Sequence, residues 1–220
     1  MSPPFNASAL AAFYIADFTV QRIRVFDENG TPLVLPSAAF ARVSNPEGLA
    51  YVPGVPGMVV VSETANPGYP NVVAFDAFGN PEPLPPNAFA GLSRPLFLAY
   101  ATIGGSGRYF VPDYFTNSLA VFDARGSNVR LGSGSFAQMI NPVAALYDPH
   151  DSEVYVTNGG ADTLTTYTAS GALTGSAKVG SHPMGAVFDA NNNSIYVAYG
   201  GTLGAAIDGQ GPTARRRYAV

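Results

Sequence analysis

Cysteine is absent from this sequence, and charged residues make up only 12% of it. Without cysteine the chain has no disulfide, no thiolate metal site and no cysteine nucleophile. A formal net charge of −4 gives no field that attracts nucleic acid or an anionic membrane surface. No apolar run approaches the roughly 18 residues of a membrane helix, and the N-terminal MSPPFNASAL lacks the apolar core of a signal peptide. We therefore expect neither a nucleic-acid partner nor membrane insertion.

Residues that signal catalysis are also scarce. The chain has two histidines, His150 and His182, in different parts of the sequence and without metal-ligand spacing. Neither a nucleophile elbow nor a P-loop is present, and the Gly-rich stretches 104–108 and 132–135 open no helix that would present amides to a phosphate. The sequence thus predicts no catalytic residue.

What the chain does contain is turn formers, with 24 glycines and 19 prolines among 47% hydrophobic residues. This composition favours short strands and tight turns, and no segment carries a sustained apolar period of 3.6 residues. At 220 residues the chain is long enough to bury the core of a single all-β domain.

Alternating apolar segments recur along the chain. One kind, termed strand b, ends in YVTN (155–158) or a similar sequence, at 13–17, 58–63, 108–113, 153–158 and 194–199. After a short turn comes strand c, which resembles VFD followed by a glycine, at 22–30, 71–80, 118–126, 163–171 and 203–211. A weaker strand d follows at 31–35, 81–85, 128–132 and 172–176.

A third signal precedes strand b and marks strand a. Four prolines are each followed five residues later by an aromatic residue, and these are Pro46, Pro95, Pro142 and Pro183. They lie 49, 47 and 41 residues apart, and the first copy would begin at Pro3 or Pro4. Short strands with a period of 40–50 residues are typical of propeller blades, whereas an ordinary β-sandwich predicts no such copying. We predict a single β-propeller domain over 1–220, of about five four-stranded blades with approximate repeats 3–44, 45–93, 94–140, 141–181 and 182–220.

The repeats resemble known families. VYVTNGGADTLTTYTASG and VGSHPMGAVFDANNNSIYVAYG are similar to the YVTN repeat of bacterial and archaeal β-propellers, and FYIADFTVQRIRVFDENG is similar to an NHL repeat. The resemblance covers essentially the whole chain and implies a propeller, with an extracellular or periplasmic location. It implies no single activity, since such propellers include scaffolds, binding modules, lyases and lactonases. It also implies six or seven blades, whereas five repeats are counted, so the five form either a ring or an open arc.

Candidate ligand-binding residues precede the repeated prolines, where we expect one mouth of a central channel. They are Asn45, Arg94, Asn141 and His182. A cation, two amides and an imidazole would suit a polar or anionic ligand. The alternative is that these residues stabilise the turns in which they lie.

A second ring of polar residues ends strand b, and comprises Asp17, Glu63, Asp113, Asn158 and Tyr199. Three carboxylates and an amide that converge on an axis could bind Ca²⁺. The alternative is that each bonds to the backbone of the following turn, because the same use would recur in every blade.

From these patterns we expect a non-enzymatic binding or self-assembly module without a cofactor, although Ca²⁺ stays open. The expected partner is a second copy of the chain, in an oligomer or fibre, or else another protein or a glycan. The alternative is a metal-dependent lyase or lactonase acting on a small molecule in the channel. Asn6 and Asn192 also fit the N-glycosylation pattern, which is short enough to arise by chance.

Overall fold

A computed structural model describes residues 12–41, 43–54, 57–63, 72–189, 191–200 and 218–219. Every regular element among these residues is a β-strand. In chain order the strands are β1 (Ala12–Asp17), β2 (Arg22–Asp27), β3 (Pro46–Val52), β4 (Met58–Glu63), β5 (Val72–Asp76), β6 (Pro81–Glu82), β7 (Ala99–Ile103), β8 (Ser106–Asp113), β9 (Ser118–Asp123), β10 (Pro142–Asp148), β11 (Glu153–Asn158), β12 (Thr163–Thr168), β13 (Leu173–Lys178), β14 (Pro183–Asp189), β15 (Ser194–Tyr199) and β16 (Tyr218–Ala219).

The strands form five small sheets that follow one another along the chain. Their orders are β1-β2, β3-β4-β5-β6, β7-β8-β9, β10-β11-β12-β13 and β14-β15-β16. Neighbouring strands are antiparallel, except that β16 pairs in parallel with β15. The all-β prediction is confirmed, and the sequences assigned to strand b form β1, β4, β8, β11 and β15.

Strand c forms β2, β5, β9 and β12 as predicted, while the fifth copy at 203–211 and the start of the first repeat lie outside the described residues. The prediction of four full strands in each blade is wrong for the first and third sheets. There strand d is reduced to single bridges, Phe26 with Pro32 and Phe122 with Asn128. The outermost strand has no further strand to pair with, and the missing N–H of Pro32 weakens that edge.

The apolar core lies between the sheets. Four buried clusters each join one sheet to the next; the cluster between the third and fourth sheets, for example, combines Phe110 and Val121 with Val156 and Tyr167. Strand alternation explains this arrangement, because successive side chains point to opposite faces and each inner sheet is covered on both. None of the four clusters joins described residues of the first and fifth sheets.

Each turn after strand c is built by two residues. The carboxylate of Asp27, Asp76 or Asp123 accepts two backbone N–H bonds of 2.8–2.9 Å within the turn. Thr168 takes this position in the fourth sheet, where its hydroxyl accepts the N–H of Ala172. The glycine three residues later has positive φ at all four turns, Gly30, Gly79, Gly126 and Gly171. The repeated FD-x-x-G sequence is therefore a turn signal.

Three phenylalanines, Phe40, Phe89 and Phe136, connect these turns to the preceding sheet and are termed the latch phenylalanines. All are buried and have positive φ. The N–H of each donates to the carbonyl of the turn glycine in the next sheet, at 2.7–2.8 Å. Each ring also packs against the strand c aromatic of that sheet, with centroids 5.0–5.2 Å apart.

Hydroxyl groups at the penultimate position of strand b make a second kind of connection. Thr157 Oγ1 accepts the N–H of Ala144 at 2.9 Å and donates to the carbonyl of Met184 in the fifth sheet at 3.0 Å. Ser62 similarly links Gly48 to Leu96 of the third sheet. Because the Ser62 and Thr157 side chains are buried, each bond helps to hold the next sheet in place.

Candidate functional site

The candidate site is the end of the sheets where strand b stops and strand a starts, termed the binding end. Antiparallel pairing places the predicted residues there, since Pro142 lies opposite Asn158 and Pro183 opposite Tyr199. The third sheet differs from the prediction, because β7 starts only at Ala99 and Pro95 forms an isolated bridge with Asp113.

Three of the four residues before proline have a backbone reason to be polar. Asn45, Asn141 and His182 have φ of 49°, 48° and 52°. Asparagine tolerates this left-handed conformation better than other residues with a side chain. Their identity therefore reflects the turn at least as much as any ligand. Arg94 is not among the residues with positive φ, so the backbone does not explain it.

Two of these residues are joined to the preceding sheet. The N–H of Asn141 donates to Asn117 Oδ1 at 2.7 Å, and the N–H of His182 donates to Asp162 Oδ1 at 2.9 Å. Asn117 and Asp162 are equivalent, since each directly precedes strand c. The Asn141 amide also donates to the carbonyl of Tyr114. The structure thus brings Asn141 next to the turn that follows β8.

Arg94 lies against the same turn. Its guanidinium carbon is 5.2 Å from the ring centroids of both Tyr114 and Phe115, and its Nη2 is 3.8 Å from Glu47 Oε1 of the second sheet. Its Nε is buried and has no hydrogen-bond partner among the described residues. The carbonyl of Arg94 accepts the N–H of Tyr114. Aromatic rings and a carboxylate hold the guanidinium at the edge of the turn, where it is partly exposed.

The ring of polar residues at the end of strand b is engaged in hydrogen bonds where it is described. The buried carboxylate of Asp113 accepts the N–H groups of Ser93 at 2.6 Å and Arg94 at 2.9 Å. Asn158 accepts the N–H of Ile140 and donates to Val156 and Thr165. Backbone N–H groups are bound in both cases, but they belong to the segment before strand a and not to the following turn, as the alternative had it.

The remaining members of that ring are less constrained. Asp17 accepts the N–H of Val20 and lies 3.8 Å from Arg24, and Tyr199 is half-buried against the fourth sheet. The side chain of Glu63 lies outside the described residues. Within the described part of the chain no three His, Asp or Glu side chains are grouped to hold a metal ion.

The two histidines lie far apart in the fold. The His182 ring is exposed at the binding end beside the Ser181 hydroxyl, at 2.9 Å. His150 lies in the turn between β10 and β11, at the opposite end, where its Nδ1 is 2.6 Å from Asp151 Oδ1. Of the two glycosylation candidates, Asn192 is exposed and donates to the Tyr196 hydroxyl, while Asn6 lies outside the described residues.

Sequence reasoning missed the exposed apolar side chains of the binding end. They are Phe18, Val20, Phe115, Ile140 and Met184. Phe18, Val20 and Phe115 lie in turns after strand b, where the fourth sheet has Gly159, Gly160 and Ala161. The sequence did contain a signal for this surface, namely apolar residues inside otherwise polar turns. An apolar side chain in a solvent-exposed turn does not stabilise that turn, so its presence needs another reason.

Burial raises the pKa of three tyrosines, all of which lie between sheets and away from the binding end. Loss of water raises the pKa of the Tyr14, Tyr109 and Tyr167 hydroxyls above the ordinary value of 10.0. Tyr167 donates to the carbonyl of Ala137 at 2.6 Å, whereas the buried Tyr109 hydroxyl has no partner among the described residues.

No protein-family model and no curated protein sequence matches the chain. Similar solved structures are β-propeller-like. A structure in a nidogen/laminin complex aligns with a TM-score of 0.64 at 13% identity, over 86% of this chain and 67% of that one. A streptogramin B lyase aligns with a TM-score of 0.54 at 14% identity, over 88% of this chain and 74% of that one. A catalytically inactive virginiamycin B lyase from Staphylococcus aureus with quinupristin aligns with a TM-score of 0.53 at 16% identity, over 82% of this chain and 57% of that one.

At these identities the likeness establishes the fold alone. The chain is therefore a β-propeller-like protein, and it spans between 57% and 74% of the length of these solved chains. Binding proteins and enzymes both occur among them, so the fold does not choose between the two functions. No helix among the described residues is long and apolar enough to cross a membrane.

Proposed function

We propose that the chain is a five-bladed propeller of YVTN- and NHL-like repeats that acts outside the cytoplasm as a non-catalytic binding or assembly module. The repeated strand b and strand c sequences and the propeller-like neighbours support the architecture. The location follows from the family resemblance, and the channel mouth with Asn45, Arg94, Asn141 and His182 corresponds to the binding end.

The observation that carries the binding role is the exposed apolar surface around Arg94. Phe115 is 63% exposed, and its ring lies under a guanidinium whose Nε is buried. Exposed apolar patches next to polar groups mark interaction sites, and aromatic residues with arginine supply most of the energy at such interfaces. A protein segment or a glycan with an apolar face would fit this surface.

The test uses two defined probes, a phage-displayed random peptide library and a printed glycan array. Binders selected on the unmodified protein are measured again on Phe115→Ser and Arg94→Ala. Val34→Ser is the matched control, because Val34 is 93% exposed and follows β2 away from the binding end. We expect at least a tenfold loss of affinity for the first two variants and no change for the control.

Binders that respond equally to all three variants, or that respond only to Val34→Ser, would contradict the proposed binding end. The circular dichroism spectrum of each variant checks that the sheets are intact. Because Phe115 is largely exposed, its replacement removes little buried apolar area and should leave the fold unchanged.

The alternative function, a lyase or lactonase, is supported by the likeness to two lyase structures. Against it, the side-chain oxygens of Asp113 and Asn158 accept hydrogen bonds from backbone N–H groups of the segments that precede strand a. Incubation with quinupristin and Mg²⁺ or Ca²⁺, followed by mass spectrometry, tests that alternative. Turnover that is lost on changing Asp113 or His182 to alanine would support the enzyme alternative over the binding proposal. A rise in Tm on addition of Ca²⁺ would support a metal site.

A further inference from the structure

Equivalent side chains of strand b differ sharply in exposure between the first sheet and the others. The positions two and four residues before the end of strand b face the preceding sheet. They are Tyr109 and Val111 in β8, Val154 and Val156 in β11, and Ile195 and Val197 in β15, and all are 0–3% exposed. In the first sheet the same positions are Phe13 and Ile15, which are 58% and 48% exposed. This surface is termed the first-sheet face.

The turn of the first sheet lacks the corresponding cover as well. A Cβ placed on Gly79, Gly126 or Gly171 would lie within 3.0 Å of a latch phenylalanine. A Cβ placed on Gly30 would meet no described atom within 4 Å. The first sheet thus has the turn and the apolar positions of an inter-sheet contact, and both are exposed.

The fifth sheet has the opposite surface. Val187, four residues after Pro183, is 60% exposed, whereas the equivalent Leu146 of the fourth sheet is 6% exposed and packs on the fifth. Met184 is also exposed, and strand alternation places Asp189 on the same side as Val187. This surface is termed the fifth-sheet face.

We propose that the fifth-sheet face of one copy of the chain packs on the first-sheet face of a second copy. The contact would repeat the geometry that joins consecutive sheets four times inside the molecule, so each copy supplies the surface that the other lacks. This deepens the assembly part of the proposed function and does not depend on the binding end.

Charge favours this head-to-tail contact over one between two identical faces. In β2, Ile23 and Val25 pack on the second sheet, so Arg22 and Arg24 point to the first-sheet face. Asp17 lies on the same face, opposite Arg22 in the register and 3.8 Å from Arg24. Two first-sheet faces in contact would therefore bring four arginines and two aspartates together. The described residues of the fifth sheet include no lysine or arginine and carry Asp189. Among the described residues, which do not include Arg215, Arg216 and Arg217, a head-to-tail contact therefore brings fewer like charges together than a contact between two first-sheet faces.

The test measures mass by light scattering and sedimentation velocity from 1 to 100 μM. The variants are Ile15→Asn on the first-sheet face and Val187→Asn on the fifth-sheet face, with Val34→Asn as the control. We expect the unmodified chain and the control to exceed 22.8 kDa. Each face variant alone should be a monomer, because the contact loses apolar area and would have to bury an uncharged polar side chain.

Mixing the two face variants distinguishes the kinds of contact. Each retains one intact face, so the mixture should form a 1:1 pair with twice the 22.8 kDa mass. If Val187→Asn assembles like the unmodified protein, the contact joins identical faces and the proposal is wrong. An unmodified chain that stays a monomer at 100 μM also overturns it, whereas peptide or glycan binding at Phe115 can persist in that case. Urea midpoints of the variants within experimental error of the unmodified chain exclude misfolding as the cause of dissociation.

Discussion

Replacing Gly171 by alanine should weaken the contact between the third and fourth sheets, whereas the same change at Gly30 should cost only backbone strain. Both glycines occupy the same position of the turn after strand c, with φ of 92° and 77°. A Cβ at Gly171 would lie 2.6 Å from Ser135 Cβ and 3.0 Å from the Phe136 nitrogen. A Cβ at Gly30 would meet no described atom within 4 Å.

The expected magnitudes follow from this difference. The left-handed conformation costs a residue with a Cβ about 1–2 kcal/mol, which applies at both positions. At Gly171 overpacking adds about 1–3 kcal/mol. Displacing Phe136 also weakens its 2.7 Å hydrogen bond to the Gly171 carbonyl, worth about 1 kcal/mol. We therefore expect a loss of about 1–2 kcal/mol for Gly30→Ala and about 3–6 kcal/mol for Gly171→Ala.

Urea unfolding measures the difference, followed by circular dichroism and by tyrosine fluorescence, since the chain has no tryptophan. Gly134→Ala is an independent control for strain, because Gly134 has φ of 81°, no described atom near its Cβ position, and lies two residues before Phe136. Equal losses at Gly30 and Gly171, within about 0.5 kcal/mol, would refute the role of the latch phenylalanine.

Urea unfolding, in one case as a function of pH, tests three further predictions. Tyr109→Phe should leave the free energy of unfolding unchanged or raise it by up to about 1 kcal/mol, because the Tyr109 hydroxyl has no partner among the described residues. Tyr167→Phe should lower it by about 1–2 kcal/mol, because it breaks the hydrogen bond to Ala137. Equal effects of the two changes would contradict this prediction. Burial raises the pKa of Tyr109 above 10.0, so the unfolded chain ionises first as the pH rises. The stability of the unmodified chain should therefore hold below pH 10 and fall above it, and that of Tyr109→Phe should fall less steeply. Thr157→Val should lower the free energy of unfolding by about 2–3 kcal/mol because it removes two hydrogen bonds, and Thr157→Ser should lower it much less because it keeps the hydroxyl. Equal losses for the two variants would show that these bonds do not stabilise the fold.

Strands b and c could be predicted from the sequence because their signals are local. Alternation along a strand reflects which face is buried, and every sheet with a neighbour on both sides repeats the same alternation. The bounds of β11, Glu153–Asn158, and β12, Thr163–Thr168, fall within the segments that the repeat marks out. Strand d was predicted less well, since an edge strand has one pairing partner and depends on residues such as Pro32.

The latch phenylalanines were not predicted, although the sequence contains their signal. Each lies exactly six residues before a repeated proline: Phe40 before Pro46, Phe89 before Pro95, and Phe136 before Pro142. They escape a search for strands because they lie in turns rich in Pro, Gly and Ser, and their contacts are with the next sheet. A long-range partner cannot be inferred from alternation, but it can be inferred from spacing once the period is known.

The candidate site was predicted in position better than in chemistry. Asn45 and Asn141 precede proline in a left-handed conformation, and Asp113 and Asn158 satisfy backbone groups, so for these residues the repeat itself is the explanation. Position follows from the period, which the sequence shows. Whether a polar atom is already hydrogen-bonded depends on contacts made in the folded protein, which the sequence does not show.

The third sheet departs from the repeat in several ways that meet at one place. Pro112 replaces the hydroxyl residue found at Ser62 and Thr157. There Phe97, which precedes β7, exchanges two 3.0 Å hydrogen bonds with β10 of the fourth sheet. Arg94 lacks the left-handed conformation of the other residues before proline, and Phe115 is exposed beside it. A repeat fold explains what its copies share, so the features that only one copy has require another cause. Because these features coincide around Arg94, this sheet is the first place to test the proposed binding role.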